Sequence, residues 1–179
     1  MLMAICALLV VAPPAALALN MGLSLLLGYR PSERRLALST QATVVLSSVA
    51  AATLLINMLL TDQVQYTLDI GRWVDLPVEH FHFTVKFLFD RLSIPFVILS
   101  LLLCGVISAF ANRYLHRDEG YTRFFLFFVI FLLGMVVTSV AGTIETMFLG
   151  WELVGLSSAL LVAFFHNRVN PVANGLRVW

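Results

Sequence analysis

The chain has 179 residues, 60% of them hydrophobic and 12% charged, with a mean hydropathy of +0.95. Soluble domains hold roughly 45–50% apolar and about 25% charged residues, so this composition excludes one and describes an all-α integral membrane protein forming a single bundle in the lipid bilayer. A net charge of +1 leaves no basic face for nucleic acid.

Met1 to Leu19 is apolar and ends in Ala-Leu-Ala-Leu, like a signal-peptide cleavage site. No Lys or Arg precedes Arg30, however, and the apolar run continues to Leu27. A secretory signal begins with a basic region and stops sooner, so a retained helix is expected. Five apolar runs, at about 3–27, 36–60, 92–112, 123–141 and 144–165, are long enough to cross about 30 Å of hydrocarbon. Pro13 and Pro14 fall inside the first and should kink it. Cys6 and Cys104 lie in apolar runs without a Cys-x-x-Cys spacing and read as packing residues.

Residues 61–91 break the pattern. Gln65-Tyr-Thr-Leu-Asp-Ile70 and His80-Phe-His-Phe-Thr-Val-Lys-Phe-Leu-Phe89 are rich in β-branched and aromatic residues and alternate in polarity in places. They predict a short external β-hairpin between the second and third helices. His80 and His82 would share one side of a strand and, with Glu79, are weak metal candidates. Two histidines without further ligands make no zinc site, so packing in the hairpin is the plainer reading, and no metal or other cofactor is expected. Arg117-Asp-Glu-Gly-Tyr-Thr-Arg-Phe-Phe125 is a charged turn into the fourth helix, with Thr122 as its expected cap. After the fifth helix, Asn167 to Trp179 reads as a loop and the start of a sixth helix near 174–179, with Pro171 just before it. The sequence is then expected to be cut short or continued in another polypeptide. His116 and His166 are expected at interfacial ends.

The charges orient the chain. Arg30, Arg34, Arg35, Arg113, Arg117, Arg123, Arg168 and Arg177 fall on one side. Arg72, Lys86 and Arg91 fall on the other, among Asp62, Asp69, Asp75, Glu79 and Asp90. The positive-inside rule places the N-terminus outside, the C-terminus in the cytoplasm and the hairpin outside an inner (plasma) membrane.

The chemistry concentrates in Leu149-Gly-Trp-Glu-Leu-Val-Gly-Leu-Ser-Ser158, inside the fifth run. A charge near mid-membrane costs roughly 2.5–3.5 kcal/mol even on the lenient insertion scale. Bare hydrocarbon favours a protonated carboxyl, and a nearby cation restores the ionised form. Glu152 is therefore a candidate proton carrier, beside the plainer reading of a carboxyl bonded to helix backbones. The other basic residues all fall outside the expected spans, so its partner is water or lies in residues beyond this chain. Glu145, seven residues earlier and roughly 10.5 Å away on the same face, is a possible proton entry. More often such a residue favours the first turn through the helix dipole. Trp151, Gly150 and Gly155 flank the site, and small residues, Gly134 among them, let helices approach closely. No phosphate loop, dinucleotide fingerprint or nucleophile–base pair is present.

Tyr114, Glu119-Gly-Tyr-Thr-Arg-Phe-Phe125 and Leu149-Gly-Trp-Glu-Leu-Val-Gly-Leu-Ser-Ser158 resemble the antiporter-like subunits of proton-pumping complexes. The likeness is to the L chain of bacterial respiratory complex I, a NADH-quinone oxidoreductase, and to its relatives in Mrp-type sodium/proton antiporters. Asp90-Arg-Leu-Ser93 resembles the segment opening that family's third helix. The resemblance implies a proton- or cation-translocating subunit of a larger complex, at most a non-redox part of the enzyme. Glu152 would be the proton-path glutamate that pairs with a lysine on a seventh helix. It covers the first third of such chains, so partners would include other membrane subunits and a chain supplying the remaining helices and the lysine. Glu145 departs from the pattern, where an apolar residue is usual. Phe89-Asp-Arg-Leu-Ser-Ile-Pro-Phe96 also resembles the membrane subunit of DAB-type inorganic-carbon uptake complexes. A third reading is a truncated, non-conducting assembly or structural chain.

Overall fold

A computed structural model describes the backbone of residues 1–29, 31–76, 81–165 and 169–178, and the side chains of these except 72–76, 81–82, 169 and 178. The order is α1 (Leu2–Leu26), α2 (Glu33–Leu60), β1 (Gln65–Leu76), β2 (Phe81–Asp90), α3 (Ser93–Tyr114), α4 (Tyr121–Ser139), α5 (Ile144–Val162) and α6 (Val169–Val178). The first five helices are long and apolar enough to cross a membrane. The protein is an all-α membrane bundle with one antiparallel hairpin between α2 and α3.

Helix α1 runs unbroken through Pro13 and Pro14 and packs on α2 and α4; α2 packs on α3, and α4 on α5. The main core is made by Val10, Leu54, Met58, Val97, Leu101, Leu132 and Val136, each at most 1% exposed. Cys6 and Cys104 are free thiols buried in it. A second cluster, including Met21, Leu36, Tyr121, Phe125 and Phe164, closes the arginine-rich end.

That end is stitched by the charged turn. Gly120 faces the Phe164 ring, which a β-carbon there would meet at 2.7 Å. The Tyr121 hydroxyl donates to Asn112 Oδ1 (2.8 Å), and Arg123 donates to the Phe164 carbonyl (3.0 Å) while lying over its ring. Glu33, opening α2, accepts the Arg117 amide hydrogen (3.0 Å) and pairs with His116 (2.7 Å). His116 is thus held by a hydrogen bond to Glu33 just past the end of α3. Thr122 does not cap α4: the cap lies two residues earlier, at Gly120, whose amide donates to Asp118 Oδ1 (2.7 Å). Likewise α6 starts at Val169, not near 174, and Pro171 lies inside its first turn. Proline is tolerated there because its missing N–H would be unpaired in any case.

The hairpin is held at three places. Its strand β2 alternates, with Phe87 and Phe89 buried at 5% and 1% exposure and Lys86 and Leu88 facing the other way. The Asp90 carboxylate accepts hydrogen bonds from the amides of Leu92 (2.9 Å) and Ser93 (2.6 Å), and Ser93 Oγ accepts from the Asp90 amide (2.9 Å). This reciprocal cap satisfies donors that the start of α3 would otherwise leave open. Arg91 then reaches Asp62 (2.7 Å) and the Gln63 carbonyl (3.3 Å) at the end of α2. The strands bulge between Asp69 and Gly71 and between Arg72 and Val74, and Gly71 supplies the positive φ of 120° at the first. Glu79 and His80 lie outside the described residues, and of His82 only the strand position, opposite Asp75, is described.

Candidate functional site: the open face of the fifth helix

The segment joining α4 and α5 is tied to β2. Leu88 donates to the Val140 carbonyl (2.7 Å), Gly142 donates to the Lys86 carbonyl (2.8 Å), and Phe87 bridges to Ala141. Thr143 donates through its hydroxyl to the Thr84 carbonyl (3.2 Å) and also caps α5 by accepting from the Thr146 amide (3.3 Å). The hairpin therefore fixes where α5 begins.

From that anchor, α5 presents two faces. Thr146, Gly150, Val154 and Ser157 turn toward α4. The approach is close: a β-carbon on Gly150 would meet Thr138 Oγ1 at 2.5 Å, and one on Gly134 would meet the Val154 amide nitrogen at 2.8 Å. Small residues are required at both positions. Gly155 is different. Among the described residues nothing lies within 4 Å of a β-carbon there, because Gly155 sits off the α4-facing stripe. Among the described residues, Thr138 Oγ1, buried beside Gly150, has no hydrogen-bond partner.

Glu145, Phe148, Leu149, Glu152 and Leu156 follow the spacing of the other face. Glu145 and Glu152 are both half-buried and line one cavity of about 540 Å³ between α5 and β2. Its remaining wall is almost wholly apolar, with Phe83, Val85 and Phe87 from β2 and Val137 from α4. The lining by β2 had no signal in the sequence, because a contact between a hairpin and a distant helix leaves no local period. Glu145 stands in the first turn of α5, where the dipole favours its charge. Glu152 has no hydrogen-bond or ion-pair partner among the described residues. Trp151 is 68% exposed and points away from the packed face. Among the described residues, no three His, Cys, Asp or Glu side chains gather as a metal site would require.

Chemically, the arrangement offers two carboxyl groups a helical heptad apart on one wall of an apolar chamber. A carboxyl in such a chamber can hold or release a proton as a cation approaches or leaves.

Comparison with known proteins agrees with this architecture. The family described as NADH-Ubiquinone oxidoreductase (complex I), chain 5 N-terminus matches residues 73–125, which take in the end of β1, all of β2 and α3 and the start of α4, and stop short of Glu152. NADH-ubiquinone oxidoreductase chain 5 of Wickerhamomyces canadensis is 31% identical over 121 residues, covering 68% of this chain and 18% of that protein. NADH-quinone oxidoreductase subunit L of Buchnera aphidicola is 33% identical over 101 residues, covering 56% and 16%. Chain 5 of Hippopotamus amphibius is 29% identical over 130 residues, covering 72% and 22%. The chain thus spans about a fifth of the length of the curated relatives it matches. These matches lend no support to the inorganic-carbon alternative. Five membrane-spanning helices, the hairpin in its place between the second and third, and these matches together make the chain a member of the antiporter-like membrane subunit family of NADH-quinone oxidoreductase, corresponding to its N-terminal part.

Proposed function

We propose that the chain is a proton- or cation-translocating membrane subunit of a multi-subunit complex, with Glu152 as the proton carrier. One observation carries this reading. Glu152 lies half-buried within a membrane-spanning helix, on an apolar cavity, with no partner among the described residues. A carboxyl in that setting is costly unless a cation or a proton meets it. It faces away from the α4 contact, so its partner is water or a cation from beyond the described residues, in the same or another polypeptide. Glu145, on the same cavity at the hairpin end of α5, is the proton's entry group. The arginine-rich end lies in the cytoplasm and the hairpin outside the inner membrane. Redox chemistry belongs to other subunits.

Extraction of the native complex in mild detergent, intact mass measurement and sequencing of what co-purifies test this reading. We expect membrane segments carrying a mid-helix lysine in the same assembly. Recovery of this chain alone, or only with copies of itself, would overturn it in favour of the structural-chain reading.

A further inference from the structure

At the end of the bundle opposite the hairpin, a second cavity of about 470 Å³ opens between the start of α2 and the end of α3. It is lined by Glu33, Arg34, Ala37, Leu38, Asn112, Arg113 and His116. Its charges are unequally engaged. Both Glu33 oxygens are used, one by His116 and one by the Arg117 amide. Arg34 and Arg113 have no hydrogen-bond or ion-pair partner among the described residues, and Asn112 uses its oxygen to accept from Tyr121, leaving its amide nitrogen to donate. Two unpaired guanidinium groups therefore share one pocket at the end of two spanning helices.

The depth of the pocket selects the ligand. Helix α2 begins at Glu33 and α3 ends at Tyr114, so the arginines stand where hydrocarbon gives way to headgroups. Leu38, 60% exposed, lines the pocket one turn deeper, and Phe110 and Tyr114 are exposed apolar surface on α3. Guanidinium donors at headgroup level over an exposed apolar helix surface match a phosphate carrying acyl chains. We infer that this α2–α3 pocket binds the phosphate headgroup of an anionic phospholipid through Arg34 and Arg113. The inference needs the membrane-spanning architecture and not the proton path, so it stands or falls separately from Glu152.

The test is native mass spectrometry of the purified chain in detergent, supplied with equal amounts of dioleoyl phosphatidylglycerol and dioleoyl phosphatidylcholine. The wild type is expected to retain phosphatidylglycerol preferentially. Arg34→Gln with Arg113→Gln should lose that preference about thirtyfold, and either substitution alone about fivefold, which decides the matter if the double variant fails to fold. Arg34→Lys with Arg113→Lys should keep most of the preference, and Arg35→Gln with Arg177→Gln all of it. Equal retention of both lipids by the wild type, or undiminished preference in the glutamine variants, would overturn the proposal. Displacement of the lipid by excess sodium phosphate would reassign the pocket to free anions and overturn it equally.

Discussion

Leu88 of β2 donates its amide hydrogen to the carbonyl of Val140, at the end of α4, at 2.7 Å. With the reverse bond from Gly142 to Lys86, it makes the segment between α4 and α5 behave as a short third strand of the hairpin. An outer element thus sets the start, and so the depth, of the helix that carries both carboxylates.

Gly142 is the tightest point of that clamp. A β-carbon there would stand 2.9 Å from the Lys86 carbonyl oxygen. Gly142→Val should therefore push the segment off β2 at a cost of about 1–3 kcal/mol, the range for overpacking a close contact. Hydrogen exchange of the Leu88 and Gly142 amides is expected to quicken, while amides in the middle of α3 keep their protection. Unchanged protection at Leu88 would contradict the clamp.

The two glycines flanking Glu152 should part company. Gly150→Val meets Thr138 and forces α5 from α4, with an expected loss of about 1–3 kcal/mol in a denaturant titration of the chain in micelles. Gly155→Ala places its β-carbon where no atom of the described residues lies within 4 Å and should not lower the midpoint of the same titration. Equal effects would contradict the face assignment of α5.

Asp90 gives the hairpin–α3 junction a defined pH response. The Ser93 backbone amide is the largest influence and, with the Leu92 amide and the Ser93 hydroxyl, holds its carboxyl below the ordinary value of 3.8, against an opposing effect of burial that is second in size. A group whose folded value is lowered contributes stability fully above its unfolded value, and that stability fades as pH falls through the folded value. Protection of the first turn of α3 should therefore hold at pH 6 and weaken below about pH 4. Asp90→Ala removes the cap, at about 1 kcal/mol, and should flatten the acid response. An acid response that persists in the variant would assign it to another group.

Much of this architecture was legible in the sequence. Five long apolar runs and an aromatic, β-branched interlude each announce their own preference within a few residues, and those preferences agree with the fold. Glu152 stood out because a charge in an apolar run is its own signal. What stayed hidden was long-range. Gly120, Tyr121 and Arg123 read from the sequence as part of a charged turn into the fourth helix, yet they knit α2, α3 and α4 to the end of α5 through Glu33, Asn112 and Phe164. Gly155 looked like Gly150 because composition does not say which face of a helix is covered. Thr122 lost its capping place to Gly120 because the helix opens on the Asp118 turn rather than on a hydroxyl. Asp90 and Ser93, read as part of a family likeness, act as a reciprocal cap.

The most direct measurement is proton translocation by the native complex in sealed vesicles, followed with a pH-sensitive dye, for the wild type, Glu152→Gln and Glu152→Asp. Glutamine keeps the size of the side chain and removes its proton, whereas aspartate keeps the proton and shortens the reach. Loss of translocation in Glu152→Gln with partial activity in Glu152→Asp, in complexes of normal composition, is the predicted result. Full translocation by the glutamine variant would contradict the role of Glu152 as proton carrier.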